Sequence, residues 1–326
     1  MHALSSIPCL PAAAETPLGA EVYRGLTAMP KKLSPWIFYD ERGSELFEAI
    51  TELPEYYLTR TERDIFAQSG AAMVESAADG QELAVIELGA GTAVKTDLLL
   101  RAAVGLGLQV SYYPIDISGT ALDEAARRLG EELPQVAVEA RLADYTRDLR
   151  DVAAPRCRRL VLSIGSSLGN FEPEAASALL SRLRRRLAAG DCLLLGVDHV
   201  KDRGTLLRAY NDAAGVTAEF NGNALARINR ELHASFRTGL FRHRAVWNER
   251  ESRVEMHLES LIAQEVAIRD LELTVNFQRG ESIHTENCYK FTGESVARLF
   301  ARSGFAARQS WTDAKGWFGV YLAEAV

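Results

Sequence analysis

Between residues 62 and 200 four apolar runs, ELAVIELGA, QVSYYPIDI, RRLVLSIGSS and DCLLLGVDHV, alternate with stretches of helical period. Strands that alternate with helices imply βαβ units, so the sequence predicts a parallel sheet. Near the end, GESVARLFARSG reads as a helix. RQSWTDAKGWFGVYLAE reads as two strands around Asp313, Ala314, Lys315 and Gly316, a terminal antiparallel hairpin that completes the sheet. The stretch 201–290 has another texture. A helical portion, LLRAYNDAAGVTAEFNGNALARINRELH, precedes the strand-like runs GLFRHRAVWNER, SRVEMHLESLIAQEVAI and LELTVNF. Runs of strands with polar ends suggest an antiparallel α+β lobe inserted into the α/β core. The expected divisions are therefore 1–61, 62–200, 201–290 and 291–326.

The net charge of −7 argues against a general nucleic-acid binder, because phosphate neutralisation needs surplus Lys and Arg. The short basic run Arg182, Arg184, Arg185, Arg186 lies on a helical pattern and reads as a solvated helix face. Cys9, Cys157, Cys192 and Cys288 are scattered with no C-x-x-C pair, which fits reduced thiols in a cytoplasmic protein. No apolar run approaches the ~18 residues a membrane span requires. MHALSSIPCLPAAAETP lacks a basic n-region and reads as a loose N-terminal arm. The expectation is a cytoplasmic monomer that acts on a small molecule, with neither nucleic acid nor membrane as partner.

The sharpest local signal is VIELGAGTAVKTDLLL, in which a buried strand, Val85 to Leu88, runs into Gly89-Ala90-Gly91-Thr92 and then a helix from about Val94. Glycines let the backbone turn tightly and approach a ligand with no Cβ in the way. Helix N-terminal N–H groups then face the bound group. A dinucleotide site uses the same geometry, and a plain strand–turn–helix corner is the alternative reading of this segment. Two details favour S-adenosylmethionine (SAM). Val94 replaces the third small residue of G-x-G-x-x-G, and Glu87 sets an acid where it suits the cationic methionine end of SAM. A P-loop is excluded because no G-K-[ST] follows.

The next strand ends in Asp116, 25 residues after Gly91. There an acid accepts from both ribose hydroxyls, or caps the following helix. RLADYTRDL sets Asp144 after a third strand, where it can accept from the adenine amino group while Tyr145 covers the ring. LVLSIGSSLGNFEPEAA supplies a fourth strand with Gly165 through Asn170 at its carboxyl end, where open α/β sheets build their sites. Asn170 offers a donor and an acceptor to a zwitterionic amino acid, or serves as a cap.

At these segments the chain resembles the histidine Nα-methyltransferase family of ergothioneine biosynthesis. The shared text includes FYDERGSELFEAITELPEYYLTRTE, IELGAGTAVKT, GSSLGN, VKDRGTLLRAYNDAAGVTAEFN, NRELH, VWN, VEM and IHTENCYKF, over roughly residues 30–325. LPEYY-x-TRTE and AYNDAAGVTA-x-FN are not generic methyltransferase motifs.

The resemblance implies a class I SAM-methyltransferase fold, a Rossmann-like α/β sheet with a terminal antiparallel hairpin. It adds a second α+β lobe, made from residues 1–61 and 201–290, that binds the substrate. The implied activity is transfer of methyl groups from SAM to the α-amino nitrogen of L-histidine, three times, to give trimethylhistidine (hercynine). By the same matching, Tyr39, Gly89, Lys95, Asp116, Asp144 and Tyr145 surround the cofactor, with Tyr39 and Gly165 where cofactor and amino group meet. Tyr56, Asn170 and Tyr210 would hold the charged backbone groups of the amino acid. Glu286 and Cys288 would address the imidazole, with Met256 shaping the wall, and Tyr39 and Asn170 are the catalytic candidates. The chain departs from the family in carrying Cys288 where serine is usual, and a thiol is a much weaker hydrogen-bond partner. Tyr145 stands where the family often has Phe.

Methyl transfer from a sulfonium is an in-line displacement that needs a neutral amine, so the protein's work is positioning and proton removal. No histidine is placed by motif as the base. Tyr39 serves directly or through a water, or the amine enters deprotonated. Tyr39 and Tyr56 can tolerate the growing cation through their ring faces, worth about 0.5–2 kcal/mol, although Tyr56–Tyr57 also reads as an ordinary aromatic cluster. His257 and His284 lie on strand-like patterns with no third ligand at sensible spacing, so no metal is expected. Alternation sets His284 on the face of Glu286, where it orients that carboxylate or is simply a surface histidine. Two other readings stand beside this one. One is an N-methyltransferase of another aromatic amino acid such as a tryptophan derivative, whose pocket would want an apolar wall in place of Glu286. The other is a non-catalytic SAM-binding regulator, against which the presence of Tyr39, Asp116 and Asn170 argues.

Overall fold

The computed structural model describes residues 11–152 and 157–326. His2, Cys9 and the first part of the expected N-terminal arm lie outside the described residues. The described part of that arm is helical, where a loose segment was expected. A 3-10 turn, Ala12–Glu15, leads into a helix, Pro17–Thr27, whose first turn Thr16 caps by accepting from the Gly19 N–H at 3.0 Å. Pro17 at the first helical position and the buried Ala14 help fix the start.

The chain divides into two compact units. One takes Leu58–Lys201 and Tyr289–Val326, and the other takes Asp202–Cys288 with the described residues up to Tyr57. Strands are numbered along the chain. β1 (Leu83–Leu88), β2 (Val110–Asp116), β3 (Ala137–Val138), β4 (Arg141–Leu142), β5 (Arg158–Ser163) and β6 (Cys192–Asp198) come first. β7 (Phe241–Asn248), β8 (Arg253–Ser260), β9 (Gln264–Ile268), β10 (Leu273–Phe277) and β11 (Ser282–Tyr289) follow, then β12 (Phe305–Thr312) and β13 (Phe318–Ala325).

The first unit holds one sheet in the order β12-β13-β6-β5-β1-β2-β3, with β4 also beside β2. β1, β2, β5 and β6 pair in parallel, and β13 runs antiparallel between β6 and β12. Every residue of β1 and β6 is buried, as befits parallel strands covered on both faces. The edge breaks into β3 and β4 for a local reason. The carbonyls of Tyr112 and Asp116 accept from Glu139 and Ala143 across that edge. Pro114 lies between them, on the same side by alternation, and has no N–H to offer. The terminal hairpin forms as expected, its turn held by Asp313, whose carboxylate accepts from the Lys315 and Phe318 N–H groups.

The basic run is less solvated than expected. Arg182 donates to the carbonyls of Thr146 and Arg147, and Arg184 to those of Leu187 and Val326, so both tie loops to their helix.

The second unit joins segments far apart in sequence. Its sheets are β11-β8-β7 and the hairpin β9-β10, so the run SRVEMHLESLIAQEVAI is two strands, split after Ser260. The N-terminal segment adds to the β11 edge, where Lys32 bridges His284 in parallel. Helix Val216–Glu231 grips the same segment: Asn223 donates to the Phe38 carbonyl and Asp40, Arg227 to the Ile37 carbonyl, and Arg230 to Asp40. Among the described residues no helix is long and apolar enough to cross a membrane.

Candidate active site

The strand order of the first unit reverses at β1, which has β2 on one side and β5 on the other. Open α/β sheets bind ligands outside the carboxyl ends of strands at such a point. The Gly89–Gly91 turn leaves β1 there and the Gly165 turn leaves the adjacent β5. Gly89, Gly91 and Gly165 all have left-handed backbones, with φ of +73°, +52° and +74°. At Gly89 a Cβ would also stand 3.4 Å from the Tyr145 ring, so that ring lies against the turn. A Cβ at Gly91 would meet nothing within 4 Å, which leaves open space beside the backbone.

Asp116 ties the turn to the end of β2. One carboxylate oxygen accepts from the Gly91 N–H at 2.8 Å and the other from Ser118 at 2.9 Å. The helix after it is capped by Ser118, not Asp116. Each oxygen keeps a lone pair for a further donor. Asp144 is more committed: one oxygen accepts from both the N–H and the hydroxyl of Thr146, and the other faces Arg147 at 3.1 Å. Arg147 is largely exposed, and exposed pairs of that kind are weak. Burial, and then the nearby carboxylates of Asp116 and Asp144, push the Tyr145 hydroxyl up to about 12.

Glu87 does not act as expected. It is 2% exposed, accepts from Thr96 Oγ1 at 2.6 Å and from the Tyr112 hydroxyl, and so braces the turn from within. Burial pushes its carboxyl up to about 7, although the Thr96 and Tyr112 hydroxyls pull the other way.

Lys95 stands one residue before helix Thr96–Gly105, and its ammonium lies 2.5 Å from Glu62. Glu62 is a residue whose role the sequence reading missed. It is fully buried on helix Tyr57–Ala78, and both its oxygens accept from the Gly165 N–H at 2.9 Å. Its only signal was its place in the TRTE segment. Asn170 closes the short 3-10 turn Ser167–Asn170 and does not cap the next helix.

In the second unit Tyr39, Tyr56 and Tyr210 come together through two aromatics not singled out from sequence, Phe47 and Phe220. Tyr39 packs on Phe47 and Phe220 with centroids at 5.7 and 5.5 Å, and Tyr56 packs on Phe47 and Tyr210 at 6.5 and 6.3 Å. Edge-on contacts of this kind hold ring faces in fixed directions.

A buried polar chain runs behind them. The His243 Nε2–H donates to the Tyr210 carbonyl at 2.8 Å, so Nδ1 is the acceptor for the Asn221 amide at 2.9 Å. Asn221 also donates to the His257 carbonyl and accepts from the Thr285 hydroxyl, which lies 3.0 Å from the Met256 carbonyl. Asn221 and His243 thus fix the backbone at Tyr210, Met256 and the residue before Glu286. Burial holds His243 below the usual histidine range, which favours the neutral form this chain needs.

Met256, Glu286 and Cys288 are all buried. Strict alternation fails at Thr285 and Glu286, which are both buried, and His284 Nε2 contacts the Glu286 main-chain carbonyl at 3.1 Å. His284 thus meets the main chain of its own strand two residues on. A third potential ligand, the acid Glu255, joins the two histidines: Glu255, His257 and His284 offer ligand atoms within 4.8 Å of one another. Glu255 is already bound by Asn248 and Arg253, which with His257 hold its carboxyl down at about 2 against the effect of burial. The two imidazoles stack at 4.9 Å.

A parallel sheet in this order, closed by an antiparallel hairpin, with a glycine turn after β1 and an acid ending β2, is that of a class I SAM-dependent methyltransferase. A family model described as histidine-specific methyltransferase, SAM-dependent, matches residues 18–325, and the chain belongs to that family. It is 44% identical to a histidine N-alpha-methyltransferase of Mycolicibacterium smegmatis, over 94% of each chain. It is 31% identical to ergothioneine biosynthesis protein 1 of Neurospora crassa over 90% of this chain and 33% of that one. A 4-dimethylallyltryptophan N-methyltransferase of Claviceps purpurea is 25% identical over 92% of both chains.

Proposed function

We propose that the protein methylates the α-amino nitrogen of L-histidine three times, giving trimethylhistidine, the betaine hercynine of ergothioneine biosynthesis. The observation that carries the choice of substrate is Glu286, a carboxylate 8% exposed on β11, in the unit that gathers Tyr39, Tyr56 and Tyr210. A buried acid suits an imidazole N–H and would be costly opposite an indole's apolar ring. The 44% identity to a histidine N-alpha-methyltransferase supports the same reading.

The glycine turn fits SAM: its backbone is open where a Cβ would stand at Gly91, and Asp116 retains acceptor capacity. When bound, SAM supplies an electrophilic methyl on a sulfonium. Gly89, Lys95, Asp116, Asp144 and Tyr145 would hold it, with Asp116 accepting from the ribose hydroxyls. Asp144 would have to turn its second oxygen from Arg147 to the adenine. On the acceptor side, Tyr56, Asn170 and Tyr210 bind the amino acid's backbone charges. The Gly165 carbonyl and Tyr39 orient the amine, and Glu286 receives the imidazole beside Met256. Cys288 supplies a weaker contact there than the family's usual serine. Tyr39 or a water takes the amine proton, and the Tyr39 and Tyr56 rings accommodate the methylated cation.

Calorimetry on Glu286→Ala tests the assignment. Histidine affinity in the presence of S-adenosylhomocysteine is expected to fall about 10- to 100-fold, the loss of a charged hydrogen bond. S-adenosylhomocysteine affinity should stay within about twofold of the native value. Equal losses of both ligands would remove Glu286 from the imidazole site.

A further inference from the structure

We propose that Glu62 is a positioning residue for methyl transfer, a single carboxylate that sets both the Lys95 ammonium and the Gly165 turn. This rests on the reading above, in which Lys95 serves the cofactor and Gly165 the amine.

Glu62 lies on helix Tyr57–Ala78, and its partners are 33 and 103 residues away in sequence. Its side chain is fully buried, whereas that of Lys95 is 23% exposed, so the pair has a closed end and an open end. Of the three N–H donors of an ammonium, Glu62 takes one. The others remain for an acceptor at the open end, such as the carboxylate of the methionine end of SAM. At Gly165 Glu62 accepts from the N–H and so anchors the start of the turn, whose Gly165 carbonyl is the main-chain group that can accept from an amine. The three groups are tightly assembled: a Cβ at Gly165 would stand 3.0 Å from Lys95 Nζ. On the other side, a Cβ at Gly196 in β6 would stand 2.0 Å from Glu62 Oε1. Glycine at 196 thus gives the carboxylate its place.

Glu62→Gln keeps the volume but not the pattern. With its carbonyl in the place of Oε2, which bonds both Lys95 and Gly165, its amide sets a donor 2.9 Å from the Gly165 nitrogen, and the charge facing the Lys95 ammonium is gone. S-adenosylhomocysteine affinity, kcat and KM for histidine would be measured for the native protein, Glu62→Gln, Lys95→Met and the double variant. Glu62→Gln is expected to weaken S-adenosylhomocysteine at least tenfold and to lower kcat. The double variant should bind S-adenosylhomocysteine within twofold of Lys95→Met alone, because one residue acts through the other. Native affinity in Glu62→Gln, or losses that multiply in the double variant, would overturn the proposal. Native affinity in Lys95→Met would instead overturn the cofactor role on which it rests. If Glu62→Gln does not fold, Glu62→Asp carries the test. It keeps the charge but withdraws it by a methylene, and unchanged S-adenosylhomocysteine affinity and kcat in that variant would equally overturn the proposal.

Discussion

Asp198→Ala is expected to destabilise the fold by about 3–5 kcal/mol, the cost of leaving buried charge without its partner. Asp198 ends β6 and is fully buried. One oxygen bonds the Lys201 ammonium and the other lies 2.9 Å from that of Lys290, and those side chains are only 5% and 1% exposed. The chain leaves the α/β unit just after Lys201 and re-enters it just before Lys290. The two stems are joined again by main-chain bonds from Phe291 to Asp198 and from Val200 to Phe291. Removing the acid takes away the carboxylate that sits between two buried ammonium groups. Burial already pushes Lys201 down to about 8, so it gives up its proton readily. The deficit should therefore shrink as pH rises past about 8. Urea unfolding at pH 7 and pH 9 measures both effects. A loss under about 1 kcal/mol, or one that grows with pH, would contradict this account of the triad.

Glu87→Gln should change how stability depends on pH. In the native protein burial raises the Glu87 carboxyl from 4.5 to about 7. Between those values the folded state holds more protons than the unfolded one. Its stabilising contribution is thus complete below 4.5 and lost as pH rises through 7, by at most about 3 kcal/mol. Thr96 and Tyr112 both donate to the same oxygen, Oε2, which a glutamine carbonyl can replace. The variant is expected to lack this slope and to exceed the native protein in stability above pH 7. Thermal unfolding from pH 4.5 to 8 reads the difference. Parallel profiles for the two proteins would mean that Glu87 is not titrating as an isolated buried acid.

Much of the α/β unit is legible in the sequence because its determinants are local. Buried parallel strands appear as apolar runs, the turn after β1 needs its glycines, and Asp313 and Gly316 mark the terminal hairpin. The acids Asp116 and Asp144 are visible because they stand at or just past the carboxyl ends of strands. What was not legible depends on partners remote in sequence. Glu62 looks like any charged helix residue until the fold brings Lys95 and Gly165 to it. Asn221 and His243 acquire meaning only when Tyr210, Met256 and Thr285 converge on them. Glu87 was misread because its position before the turn is local, whereas its burial against Tyr112 comes from pairing with β2.

The central claim is methyl transfer to the α-nitrogen of histidine, and mass spectrometry of the products tests it most directly. Histidine and tryptophan would each be incubated with SAM and the protein, and the products fragmented to locate added methyl groups. The account predicts histidine carrying up to three methyl groups, all on the α-nitrogen, and unmodified tryptophan. Methylated tryptophan with histidine untouched, or methyl groups on the imidazole ring, would contradict it.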